Sequence, residues 1–246
     1  MRMKNILIFF CSAICMFSSC TNEKENIHIT LNFTHHWDGV PITSKDLNEL
    51  KFTNENGEKV SVEKLRYLIS NISLVGSKNY HLIDFTENTG TSITISDLTE
   101  GGYALSFRFG FLDEDNEDGV YQDLNSVSFN VPEMLGGGYH FMQFDGKYRD
   151  NNSEEVGFNY HAIRAVDKTD QMNLKFQDTS FAVYLGTVEI KNTTEIEVKM
   201  NLAEWFKNPN TWDLNQLNTV LMPNFEAQKM MSANGKDVFS LGELTP

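Results

Sequence analysis

The side chains in this sequence with the clearest chemical potential are its histidines. They occur at six positions: His28, His35, His36, His81, His140 and His161. Imidazole is a good ligand for copper and zinc. No two histidines lie four residues apart and no His-Glu-x-x-His pattern is present, so a helical zinc-protease motif is absent from the sequence. A metal site would have to be assembled from distant strands; the alternative for each histidine alone is a hydrogen-bonded structural or surface residue.

The beginning of the chain predicts export. Arg2 and Lys4 precede an apolar run over residues 6–17, which is typical of a signal peptide. The following Ser18-Ser19-Cys20 resembles a bacterial lipobox. Residues 1–19 are therefore predicted to be a lipoprotein signal peptide, with lipid carried on the thiol of Cys20. An ordinary secretory signal cleaved nearby is the alternative.

This leader determines the expected location and the cysteine chemistry. Lipid on Cys20 would hold the protein to a membrane of the cell envelope, with the outer membrane expected, and residues 20–26 would form a tether. Because Cys11 and Cys15 leave with the signal, no free thiol remains for catalysis, metal binding or a disulfide. With 34 acidic and 20 basic residues, the chain lacks the basic surface that nucleic acid requires.

The first predicted strand suggests different environments for two neighbouring histidines. Ile29, Leu31 and Phe33 alternate with polar residues, as in a strand with one buried face. His35 continues the buried row, whereas His36 continues the solvent-facing row. Burying a polar group without a partner costs about 1–3 kcal/mol. We therefore expect His35 to have a metal, a carboxylate or a carbonyl as its partner.

Two further segments could bind ions. Residues 113–119 resemble half of an EF-hand loop, but position 12 of the pattern is Asn125 instead of the bidentate Glu. A solvated acidic turn is the favoured interpretation. The alternative is a weak site for a hard cation formed by Asp113, Asp115, Asn116 and Asp118. The glycines at 136–138 lack the pattern of a phosphate-binding loop and predict a tight turn into a strand.

The remaining chain predicts a single mainly β domain over residues 27–246. Short alternating segments separated by turn signals are typical of an antiparallel β-sandwich or barrel-like fold. Residues 181–190 and 195–200 are interpreted as a hairpin closed by residues 191–194. The hydrophobic content of 40% is sufficient for a folded core.

A few short helices are expected near the C-terminus. Asn201 has the position of an N-cap, and Pro209 would end that first helix. Residues 214–221 and 223–233 are predicted as the second and third helices, the last ending at Asn234-Gly235. No nucleophile–base pair and no Gly-x-Ser-x-Gly pattern is present, so we do not expect an enzyme.

Several segments together resemble the MbnP-like domain family, which includes exported copper-associated proteins and lipoproteins of Bacteroidetes. The segments that carry the resemblance are Leu31 to His35 with Trp37-Asp38-Gly39, Leu65 to Ile72, Tyr80 to Asp84, Gly138 to Gly146, Asn159 to His161, and Asn234 to Leu241. They are distributed over nearly all of residues 27–242.

The resemblance implies a β-rich domain that binds copper outside the cytoplasm. It implies His35 and His161 as ligands, with His140 from the central segment. For such a site, Met134, Met142 or a carboxylate is the candidate fourth donor. It also implies a dihaem cytochrome c peroxidase-like partner, which converts a tryptophan of family members to kynurenine. This chain has Met134-Leu135-Gly136-Gly137-Gly138 where that tryptophan would lie, so kynurenine chemistry does not carry over. The alternative function is an envelope lipoprotein with a structural or binding role and no metal.

Overall fold

The computed structural model describes residues 27–75, 79–170 and 172–246. The predicted signal peptide, the tether and Cys20 lie outside these residues. The described chain is built mainly from strands, and its sheets curl into half-barrels, which confirms the predicted β fold. No helix within the described ranges is both long enough and apolar enough to cross a membrane.

Fifteen strands and two α-helices are formed by the described residues. The strands are β1 (Ile27–Trp37), β2 (Val40–Pro41), β3 (Phe52–Thr53), β4 (Lys59–Val60), β5 (Lys64–Ser70), β6 (Tyr80–Asp84), β7 (Ser92–Leu98), β8 (Gly101–Phe109), β9 (Met142–Arg149), β10 (Glu155–Ala162), β11 (Ala165–Asp167), β12 (Lys175–Gln177), β13 (Phe181–Ile190), β14 (Thr194–Asn201) and β15 (Phe239–Thr245). The helices are α1 (Gln122–Ser126) and α2 (Phe225–Gly235), with short 3-10 helices at Ser44–Asp46, Asp113–Asp115, Glu133–Leu135 and Leu202–Phe206.

Two large sheets enclose the core. The first has the order β15-β14-β1-β2, with β7 also paired to β1, and its β1–β14 pair is parallel. The second has the order β13-β8-β5-β9-β4-β3, with β10 on β9 and β6 on β5. Strands β11 and β12 form a separate ribbon. The alternation predicted for β1 is confirmed, because Ile29, Leu31 and Phe33 are all buried.

The predicted hairpin between residues 181–190 and 195–200 is wrong, although both segments are strands. β13 pairs with β8 in the second sheet, whereas β14 pairs with β1 and β15 in the first. Ile190 and Ile196, one on each strand, are both fully buried in the same core. The short link at residues 191–193 therefore carries the chain from one sheet to the other, because both strands bury a face against the core between the sheets.

The C-terminal helices follow the prediction in part. The side chain of Asn201 accepts a hydrogen bond from Ala203 N, but the element that it caps is the 3-10 helix. Residues 214–221 form turns and no helix, since Leu214 N and Asn215 N donate to the carboxylate of Glu58. The third predicted helix is α2, capped by Asn224.

Candidate metal centre

His140 lies in the turn that leads into β9 and is almost completely buried. Its backbone N donates to Phe129 O at 2.9 Å, and its ring Nδ1 lies 3.0 Å from the same carbonyl oxygen. A carbonyl oxygen can only accept a hydrogen bond, so Nδ1 must carry the proton. In the neutral ring, Nε2 then has a free lone pair.

This lone pair is the most unusual feature of the site. Nε2 of His140 is buried and has no hydrogen-bond partner among the described residues. Burial is the main reason that the pKa of His140 is lowered to about 4, and the positive charges of Arg66 and Lys64 act in the same direction. A neutral imidazole whose other nitrogen is bonded to a carbonyl is the usual form of a metal-ligating histidine.

The second histidine of the site, His161, comes from the neighbouring strand. β9 and β10 are antiparallel, and their register places His161 opposite Gln143. The rings of His140 and His161 lie 5.3 Å apart between centroids at an interplanar angle of 83°. His161 Nε2 is 2.7 Å from Asp145 Oδ1, and this carboxylate also accepts from Asn159 Nδ2 at 2.8 Å.

The structure does not bring His35 to this pair. His35 lies between the sheets, where its Nε2 is 3.2 Å from the Tyr67 hydroxyl. Arg66, adjacent to Tyr67 on β5, donates to Gln143 and therefore points to the opposite face of the sheet, where His161 lies. The core placement expected for His35 is confirmed, but its partner is a phenol and not one of the three expected groups.

His36 is on the face predicted for it but is not solvated. Only 6% of the residue is exposed, because it packs beside Thr34 and the carboxylate of Glu197. The hydroxyl of Thr34 donates to Glu197 at 2.8 Å, so His36 Nε2 must donate to Thr34 at 2.9 Å when the ring is neutral. Thr34 on β1 and Glu197 on β14 thus cover a strand face that the alternation alone assigns to solvent.

The acidic segment and the glycine run, which the sequence presents as separate features, contact each other. Asp118 Oδ1 accepts a hydrogen bond from Gly138 N at 3.1 Å, and Asn116 Oδ1 accepts one from Tyr139 N at 2.8 Å. Asp113 instead pairs with Arg164 at 2.7 Å. These side chains have separate protein partners, and the segment fixes the backbone just before His140.

Other donors suggested by the sequence lie away from the histidine pair. Met142 is fully buried, and its neighbour Gln143 shares a face with His161, so Met142 points to the opposite side. Met134 is 72% exposed on the surface. Nowhere in the described ranges do three or more His, Cys, Asp or Glu side chains form a group that could hold a metal ion. The pair of His140 and His161 therefore provides two imidazole donors for a metal.

The residues missed at the sequence level are those that support the pair. Asp145 holds His161, and Arg66 reaches across the same face to Gln143 and to Ser128 O. The sequence signal that could have identified Asp145 is the turn at residues 150–153 between two alternating segments. Its hairpin register would have placed Asp145 and His161 on one face.

Comparison with known proteins agrees with this fold. The family model described as MbnP matches residues 26–223. The solved structure of MbnP from Methylosinus trichosporium superposes with a TM-score of 0.55 and 12% sequence identity, covering 89% of this chain and 99% of that one. No curated protein matches the chain.

The architecture is therefore that of a two-sheet β domain with a histidine pair at one face, in which His140 is buried and His161 half-buried. The chain belongs to the MbnP family, whose model matches most of its length. At 12% identity, the likeness to the solved structure concerns the fold alone.

Proposed function

We propose that this protein binds copper, or a similar late transition metal, through Nε2 of His140 and a ring nitrogen of His161. The observation that carries the proposal is the buried lone pair on His140 Nε2, which has no partner in the described part of the chain. Leaving such a group unsatisfied costs about 1–3 kcal/mol. A bound cation would offset this cost.

The donor chemistry supports copper over hard cations. Imidazole nitrogen suits copper and zinc, whereas calcium and magnesium prefer oxygen ligands. His140 is already neutral near physiological pH, so a metal need not displace a proton from Nε2. The resemblance described above supports the same metal, and membership of the MbnP family is consistent with a copper-associated role.

The setting of this activity is the cell envelope. We propose that lipid on Cys20 anchors the protein there and that it acts as a binding protein and not as an enzyme. A dihaem protein remains the partner suggested by family resemblance. His35 is assigned a packing role against Tyr67, on the other face of the sheet from the histidine pair.

Copper content and affinity test the proposal. Protein purified from the envelope should contain copper. His140→Ala and His161→Ala should each weaken copper binding at least tenfold, as expected for the loss of a metal donor. His28→Ala is the matched control, since His28 is exposed and its ring contacts Thr193. Wild-type affinity in both site variants would contradict the copper site and favour an envelope lipoprotein without metal.

A further inference from the structure

Asp145 contacts the ring of His161 and is itself held in place by Asn159. Its Oδ1 atom lies 2.7 Å from His161 Nε2, and the two side chains are 23% and 17% exposed. Asn159 Nδ2 donates to the same oxygen at 2.8 Å, which fixes the carboxylate from the position opposite Asp145 on β10. Asp145 therefore cannot swing away from His161 without breaking two hydrogen bonds.

The carboxylate is in its charged form. Its Oδ1 atom lies within hydrogen-bond distance of His161 Nε2 and accepts from Asn159 Nδ2, and an aspartate carboxyl is ionised at neutral pH. An ionised carboxylate is only an acceptor. In neutral His161, the proton must therefore be on Nε2, and Nδ1 is the nitrogen that has a lone pair.

We infer that Asp145 is a positioning residue that selects Nδ1 of His161 as its metal donor. This inference rests on the proposed copper site and specifies how its second ligand is prepared. His140 is fixed in the opposite sense, since the carbonyl of Phe129 holds the proton on Nδ1 and leaves Nε2 free. One ring thus presents Nε2 and the other Nδ1, each set by an acceptor outside the pair.

The test is the tautomer of His161, read by nitrogen NMR of the metal-free protein labelled with ¹⁵N-histidine. In the wild type at a pH where the ring is neutral, Nδ1 should give the signal of a bare nitrogen and Nε2 that of a protonated one. Asp145→Ala should convert this into a mixture of both tautomers. Asp145→Asn keeps an acceptor oxygen and should lie between them. Glu155→Gln, which removes an exposed charge on the same strand, should leave the signals unchanged.

Copper titration of the same variants provides the second measurement. Asp145→Ala should weaken copper binding about 10–100-fold, the usual cost of removing an outer-shell partner of a ligating histidine. Asp145→Asn should recover part of this loss. Glu155→Gln should bind copper as the wild type does.

The outcomes separate the two proposals. A wild-type tautomer in Asp145→Ala would overturn the role of Asp145, even if copper binds normally. A tautomer change in a protein that binds no copper would overturn the proposed function and retain the control of His161 by Asp145. Copper binding that is unaffected by Asp145→Ala would also overturn the positioning role.

Discussion

His35 Nε2 lies 3.2 Å from the hydroxyl of Tyr67, and both rings are buried between the two sheets. Phe85 covers the imidazole from another side, with ring centroids 4.4 Å apart. Burial, with a smaller contribution from neighbouring His36, lowers the pKa of His35 from 6.5 to about 3. The folded protein therefore holds this histidine neutral at pH values where an unfolded chain would protonate it.

The stability of the protein should consequently fall in mild acid. Between the unfolded pKa of 6.5 and the folded pKa of about 3, the unfolded state binds more protons, so lowering the pH favours unfolding. His35 alone should remove about 2 kcal/mol from the free energy of unfolding between pH 8 and pH 5. Denaturant unfolding at several pH values measures this.

The matched variant for this prediction is His35→Gln, which keeps a hydrogen-bonding group but cannot titrate. Its unfolding free energy should change with pH less steeply than that of the wild type, by up to one proton. His140, whose pKa is lowered to about 4, should account for much of the remaining slope. An unchanged slope in His35→Gln would show that His35 is not held neutral.

Gly138→Ala should destabilise the segment that leads to His140. Gly138 has a φ of +81°, and an added Cβ would lie 2.7 Å from Asn116 Oδ1 and 2.9 Å from Asn116 O. We expect a loss of about 1–3 kcal/mol in unfolding free energy, together with weaker copper binding. Gly119→Ala is the control, because its φ is +72° with nothing within 4 Å of the added Cβ. Equal losses in both variants would show that the contact with Asn116 has no effect.

Glu58→Ala should destabilise the turns at residues 213–217. The buried carboxylate of Glu58 accepts from Leu214 N at 3.3 Å, Asn215 N at 3.2 Å and Asn215 Nδ2 at 2.6 Å. Removing it takes the acceptor from two buried donors, Leu214 N and Asn54 Nδ2, at a cost of about 3 kcal/mol measured by chemical denaturation. Glu55→Ala removes an exposed carboxylate from the turn just before Glu58 and should have little effect. A similar small loss in Glu58→Ala would contradict this role.

Cys20→Ala should release the protein from membranes or leave it as an unprocessed precursor. The prediction depends on the apolar run at residues 6–17 and the Ser18-Ser19-Cys20 that follows it. Fractionation of cells and the mass of the mature N-terminus measure the outcome. Wild-type processing and envelope localisation in the variant would contradict lipidation of Cys20.

The histidines show which features of the structure a local sequence pattern can predict. The two-residue period of a strand places His35 in the core and His36 on the other face, and both placements are observed. The same period could not reveal that His36 is covered, because Glu197 reaches it from a strand more than 150 residues later in the chain. Nor could it identify Tyr67 as the partner of His35, which depends on how the two sheets pack.

The sequence by itself determined the fold class, the strand faces and the cap at Asn201, because alternation and capping depend on residues only a few positions apart. Only the tertiary structure decided that β13 and β14 belong to different sheets, that the acidic segment binds the glycine run, and that His140 meets His161 without His35. Those contacts join distant segments, and their geometry follows from the burial of both sheets against one core, which no local spacing encodes.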